Sequence, residues 1–161
     1  LKTNWIAYFL IPLLLLIWIY FKKRQALKII VSSLVVVAIS DFVGYQLLKA
    51  SFKRPRPHHT EIGSIVRVPY APKSYSFPSN HALNTMAIAQ NLAHYYPTMR
   101  PYFYFFALLM AYSRVYVGVH YPLDVFAGGI IGLLLTIFIR WSLLKRINSR
   151  LLSRKTMRGS T

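Results

Sequence analysis

Residues 3–21 contain no charged side chain, and residues 29–48 contain one, Asp41. Runs of this length approach the roughly 20 apolar residues that cross a bilayer as a helix. There, every backbone N–H and C=O must be satisfied within the segment itself. Trp5, Tyr8, Trp18 and Tyr20 stand near the ends of the first run, where interfacial aromatic anchors belong. Pro12 predicts a kink that neighbouring helices tolerate. The run is long enough to stay in the bilayer rather than be removed as a signal peptide. Three shorter apolar segments follow at 81–96, 102–118 and 123–139, with Pro97 and Pro101 breaking between the first two. Their shortness puts their polar ends in the headgroup region. Gly128, Gly129 and Gly132 permit a close helix approach along the last segment. The expected fold is an all-α, integral-membrane bundle of five transmembrane helices, or six with a further one at the N-terminus, forming one domain over residues 1–161. A basic cytoplasmic tail starts at about residue 140.

Charge narrows the partners. Twenty Lys and Arg against three Asp and Glu give a net charge of +17, a balance that suits nucleic acid, anionic lipid or a phosphate-bearing substrate. The apolar runs favour the last two and speak against nucleic acid. With no cysteine, disulfides and thiolate metal sites are excluded. Asp41, Glu61 and Asp124 are the only acids, too few to assemble a carboxylate-bridged two-metal site, so no metal or other cofactor is expected. The loop at 22–28, Arg100 and the tail at 140–158 carry four, one and seven basic residues and fall on one side of a five-span arrangement. The positive-inside tendency puts that side in the cytoplasm. The loop at 49–77 and the junction at 114–123 then share the outer side. The cations kept there against that tendency imply a local reason, and an anionic substrate is one.

Three polar constellations gather on the outer side. In Ser113–Asp124, Arg114 offers a planar fork of donors for phosphate oxygens, and His120 offers an imidazole that is neutral and nucleophilic near pH 7. Asp124 follows His120 by four residues, so a helical backbone sets both on one side, where a carboxylate can fix the imidazole tautomer. Pro122 suits the first turn of the next helix. In the second constellation, Lys49 and Arg56 are separated by six residues, and prolines stiffen the turn that aims the arginine. The third is Phe77-Pro78-Ser79-Asn80-His81, where Ser79 or Asn80 can cap a helix whose free N–H groups point at an anion beside His81. Each has a plainer reading: a polar turn, a simple helix cap, or a basic cluster on lipid headgroups. That last reading is preferred for Lys53 and Arg54.

Taken together, Lys49-x6-Arg56-Pro57, Pro78-Ser79-Asn80-His81 and Ser113-Arg114-x5-His120-x3-Asp124 resemble the three-part signature of the type-2 phosphatidic acid phosphatase family. These are integral-membrane lipid phosphatases related to vanadium haloperoxidases and bacterial acid phosphatases. The motif region, residues 49–124, covers about half the chain. Two departures stand out. Asn80 occupies a position where the family usually has glycine, and asparagine tolerates unusual backbone angles well enough to keep the turn. The family core commonly has six helices, against five counted here.

The resemblance implies that His120 attacks phosphorus to form a phosphohistidine, that Asp124 orients it, and that His81 supplies the leaving-group proton. Lys49, Arg56 and Arg114, with the amides around Ser79 and Asn80, would hold the phosphate oxygens, with no metal. It also implies a lipid-phosphate substrate met at the periplasmic face of a bacterial inner membrane. Lipid A 1-phosphate is the first choice, with undecaprenyl diphosphate, phosphatidylglycerol phosphate and phosphatidic acid as alternatives. Two readings from other classes are a membrane protein that binds anionic phospholipid without turnover and a vanadate-dependent haloperoxidase. Outside the signature, His58 and His59 read as solvated or substrate-facing rather than metal-binding, and His94 as structural. The intramembrane Asp41 calls for a partner, either a cation of the site or a neighbouring helix.

Overall fold

A helix breaks only where a residue stops it, and in this chain those residues are few and well separated. The computed structural model describes residues 23–60, 67 and 72–158, with side chains over 24–142. Among the described residues the fold is made of four α-helices with short π and 3-10 turns, and no strand occurs. Helix α1 spans Lys23–Phe42 and continues through a π-helical stretch, Val43–Lys49, into a last α-helical turn, Ala50–Phe52. Helix α2 is Asn80–Tyr95, α3 is Arg100–Tyr116 and α4 is Pro122–Arg158. These supply four of the five expected apolar segments; the first, at 3–21, lies outside the described residues.

Helix α2 sits in the middle and packs against the other three. Its buried positions are mostly alanine: Ala82, Ala87, Ala89 and Ala93, with Leu83 among them. Small side chains let the neighbours approach closely, and α4 uses glycine for the same purpose. A Cβ added at Gly132 would lie 2.2 Å from the Leu83 carbonyl oxygen, and one at Gly128 would lie 2.7 Å from that of Ser79. Gly129, between them, faces only the tip of Met86 at 3.9 Å. The close approach expected along this helix therefore rests on Gly128 and Gly132, four residues apart on one face.

The outward faces carry large apolar side chains, including Leu34, Phe106, Phe126 and Phe138, each more than half exposed. Among the described residues, two stretches, Arg24–His59 and Pro122–Ser142, are long and apolar enough to cross a membrane. Helix α1 outlasts the expected end of its apolar run by several residues. It stops where Lys53 takes a left-handed conformation (φ 45°), just before Pro55. The π-helical stretch widens the helix locally, and Lys49 at its end is buried. At the other limit, α4 runs unbroken through residue 140, because no glycine or proline follows Gly132 until Gly159. The expected basic tail is thus a continuation of the same helix.

Polar crosslinks fix the helices in register. Asn91, fully buried, donates to the hydroxyls of Ser32 and Ser33 on α1 and accepts from Arg140 on α4. Asp41 finds its partners on the neighbouring helix: Asn80 and Asn84 donate to its Oδ1 at 2.9 and 3.1 Å.

Candidate active site

The site forms where the helix ends on one side of the bundle meet. Helix α1 ends just past Lys49, α2 begins at Asn80, α3 ends two residues beyond Arg114, and α4 begins two residues beyond His120. A cavity of about 280 Å³ lies between them, lined by Lys49, Arg56, Asn80, His81, Arg114 and His120 among others. Six of the eight residues singled out from the sequence therefore line one cavity. The other two stand behind it. Asp124 is fully buried beside His120, and Ser79 is fully buried with its N–H donated to the Asp124 carbonyl at 3.0 Å.

His120 reaches its place through a short turn, Val117–His120, made possible by Gly118 at φ 78°. Pro122 then opens α4, and Asp124 in its first turn accepts the Tyr121 backbone N–H at 2.9 Å. An acid at this helical position caps the helix and sits favourably against its dipole, so the fold has its own use for Asp124. The same carboxylate stands 3.5 Å from His120 Nδ1 through Oδ2. On the other side of the ring, Arg56 Nη1 approaches Nε2 at 3.2 Å. A carboxylate on one side and a donor on the other favour one tautomer: Nδ1, facing Asp124, carries the hydrogen, and the Nε2 lone pair faces Arg56 Nη1 at the cavity lining. Burial disfavours the charged imidazolium. Asp124 pulls the other way without overcoming it, and the charges of Arg56 and Lys49 add to the burial effect, so His120 lies below its ordinary value of 6.5.

The cations are held just as firmly. Arg56 lies in extended backbone ahead of the Pro57–His59 turn, and its guanidinium donates to Ser74 O at 2.6 Å, Ser74 Oγ at 2.9 Å and Val119 O at 2.8 Å. Lys49 Nζ donates to Tyr75 O at 2.6 Å. Both are nearly buried, at 4 % and 5 % exposed, so each presents an under-solvated charge to the cavity. Arg114 is half-buried, with Nε 3.1 Å from Ser113 Oγ. His81 follows Asn80 at the start of α2, where backbone N–H groups lack helical acceptors. Asn80 itself is helical, with its side chain tied to Asp41. The position expected to need glycine-like backbone freedom is filled by an ordinary helical residue with a structural bond of its own.

Four residues of the site were not read from the sequence as site residues. Ser74 and Tyr75 hold Arg56 and Lys49, while Ser76 and Arg54 hold Asp124. Arg54, expected on lipid headgroups, instead donates to Asp124 Oδ1 at 2.8 Å. A signal for it was present, since residues two apart in an extended, proline-stiffened stretch lie on the same side, and Arg54 is two before Arg56. His58 and His59 stack edge to face, with centroids 4.1 Å apart, and do not line the cavity.

Among the described residues, an all-helical bundle with small-residue contacts thus brings two histidines and three cations around one cavity at its end. Residues 25–148 match the PAP2 superfamily, and the chain belongs to that family. It is 29 % identical over 148 residues to a lipid A 4′-phosphatase of Porphyromonas gingivalis, covering 86 % of this chain and 60 % of the relative. It is 32 % identical over 127 residues to an undecaprenyl-diphosphatase of Sulfolobus acidocaldarius, covering 78 % and 59 %. The chain thus spans about 60 % of the length of these relatives. Among solved structures, Aquifex aeolicus LpxE superposes with a TM-score of 0.57 at 28 % identity, covering 84 % of this chain and 76 % of that one.

Proposed function

We propose that the chain is an integral-membrane phosphatase that hydrolyses a lipid phosphate through a phosphohistidine on His120. The observation that carries this reading is the pairing on His120: Asp124 at Nδ1, and Nε2 beside the Arg56 guanidinium at a cavity lined by Lys49, Arg56 and Arg114. Attack by Nε2 breaks the bond from phosphorus to the leaving oxygen. His81, lining the same cavity, donates the proton that this oxygen needs, then takes one from the water that releases phosphate. Lys49, Arg56, Arg114 and the first-turn amides of α2 face the oxygens over which the transition state spreads its charge. Each such preorganised donor is worth about 3–4 kcal/mol. No step calls for a metal, and three acids in the chain are too few for a carboxylate-bridged two-metal site.

A lipid substrate suits the surroundings. An apolar groove of about 360 Å³ between α2, α3 and α4 includes Ala82, next to His81, and Pro122, two residues from His120. It offers an acyl chain a path to the cavity. We place the cavity at the periplasmic face of a bacterial inner membrane, and we take a phosphate monoester of lipid A, the 1-phosphate first, as the substrate. The likeness to a lipid A 4′-phosphatase supports the lipid A choice. Undecaprenyl diphosphate is the second reading, favoured by the other relative.

The test is phosphate release by purified protein from lipid A carrying the 1- or the 4′-phosphate, undecaprenyl diphosphate and phosphatidylglycerol phosphate, each with and without excess chelator. Lipid A 1-phosphate should turn over fastest, unaffected by chelator, and His120→Ala should turn over none of them. Faster release from undecaprenyl diphosphate would move the reading to the second substrate. Wild-type protein that binds these lipids but releases no phosphate would leave a lipid-binding protein in its place.

A further inference from the structure

Asp124 is fully buried, yet its carboxylate has more donors than an orienting role toward one imidazole requires. Oδ1 accepts from Arg54 Nη1 at 2.8 Å, turned away from the histidine. Oδ2 accepts from the Ser76 hydroxyl and from the Tyr121 N–H, and it is this oxygen that faces His120 Nδ1. Arg54 is itself braced. Its guanidinium lies 4.0 Å over the centre of the Tyr121 ring, and its carbonyl accepts the Ser76 N–H at 2.8 Å. Residues 54–56 and 74–76 therefore run side by side. Arg54 and Ser76 at one end grip Asp124, while Arg56 and Ser74 at the other grip each other.

Arg54 does not line the cavity, and its side chain is 34 % exposed. Its role toward the reaction, resting on the function proposed above, must act through Asp124. An isolated buried carboxylate 3.5 Å from an imidazole would do two unwanted things. It would be free to rotate Oδ2 away from Nδ1, and it would stabilise the imidazolium, which has no lone pair for attack. A guanidinium on Oδ1 counters both, fixing the plane of the carboxylate and offsetting its charge. We propose that Arg54, together with Ser76, is a positioning residue that sets the Asp124 carboxylate against His120 and limits how strongly it draws a proton onto the ring.

The experiment uses the full chain in detergent with isotope-labelled histidine, following the His120 titration by NMR and turnover of a soluble activated aryl phosphate. Arg54→Gln should raise the His120 midpoint and lower kcat about ten- to a hundredfold, as loss of an outer partner of a site residue does. KM for the aryl phosphate should change little. Arg54→Lys should recover part of kcat, and Ser76→Ala should shift the midpoint the same way by less. In an Asp124→Asn background, Arg54→Gln should alter neither quantity, because the carboxylate through which it acts is gone. A His120 midpoint unmoved by Arg54→Gln, or an Arg54→Gln effect undiminished in Asp124→Asn, would overturn the proposal. So would a loss confined to KM for lipid substrates, which is the signature of a headgroup contact. If Arg54→Gln does not fold, Arg54→Lys supplies the same comparison through its shorter, single-headed charge. A wild-type protein without turnover would count against the phosphatase reading alone, since the titrations still decide whether Arg54 acts on His120 through Asp124.

Discussion

Burial around His120 sets the direction in which the protein responds to pH. The folded chain holds its imidazole below 6.5 and therefore binds that proton more weakly than the unfolded chain does. Between the folded value and 6.5 the unfolded state takes up the proton and the folded state does not. Stability from this group is thus intact above 6.5 and declines as pH falls below it. A histidine-resolved NMR titration should place the His120 midpoint below 6.5, and a midpoint above 6.5 would mean that Asp124, not burial, governs the ring. The two histidines should also fail differently when removed. On the proposed mechanism, no phosphoenzyme should form without His120, whatever the leaving group. Without His81, on the same mechanism, attack should remain possible while the leaving oxygen goes unprotonated and water lacks its base. His81→Ala should therefore still accept a phosphoryl group from an activated aryl phosphate, trapped on His120, while its turnover of a lipid falls about 10²–10⁴-fold. Label found on residue 81, or equal losses on both substrates, would reverse the two roles.

Helix contacts made through glycine allow a graded test, because three glycines within five residues of α4 meet different surroundings. Gly132→Ala would drive a Cβ to 2.2 Å from the Leu83 carbonyl oxygen, and Gly128→Ala to 2.7 Å from that of Ser79. Both approaches are to backbone, which cannot swing aside, so α2 and α4 must separate. Overpacking of this kind costs about 1–3 kcal/mol. Gly129→Ala meets only the end of Met86 at 3.9 Å and should leave stability unchanged or slightly raised. Unfolding midpoints of the three variants in one detergent check the order, and Gly128→Ala should also lower activity because Ser79 abuts Asp124. The glycines, the helices and the His120–Asp124 pair were readable in the sequence, because each follows from spacing along a single helix. The grip of Arg54 on Asp124 spans 70 residues of sequence, and Ser74 and Tyr75 act partly through backbone carbonyls that any residue carries. No local pattern encodes such contacts. The π-helical stretch was equally hidden, since Val43–Lys49 has the composition of ordinary helix. Asn80 was legible as a departure, but its bond to Asp41 joins helices whose pairing the sequence alone does not specify.

Across the whole molecule, the cations divide into two populations with different work. Those at the cavity end, Lys49, Arg54 and Arg56, are fixed by named acceptors within the fold. At the opposite end, Arg140 is bonded to Asn91 and lies over Tyr95, and the basic residues that follow it continue along α4. If the second group obeys the positive-inside tendency, the turn Pro97–Met99 and the far half of α4 face the cytoplasm and the cavity faces away from it. The absence of cysteine makes this directly measurable, since any thiol introduced is the only one present. Lys73→Cys, exposed next to Ser74 at the cavity end, should react in intact cells with a membrane-impermeant maleimide. Thr98→Cys, exposed in the turn between α2 and α3, should react only after the membrane is opened. Both positions lie outside the residues that hold the site, so activity can be followed in the same variants to show that the labelled protein is folded. The reverse pattern would put the cavity in the cytoplasm and require its substrate to be presented from the inner leaflet. Labelling of both positions in intact cells would mean that the bundle, as inserted, does not separate its two ends across the bilayer.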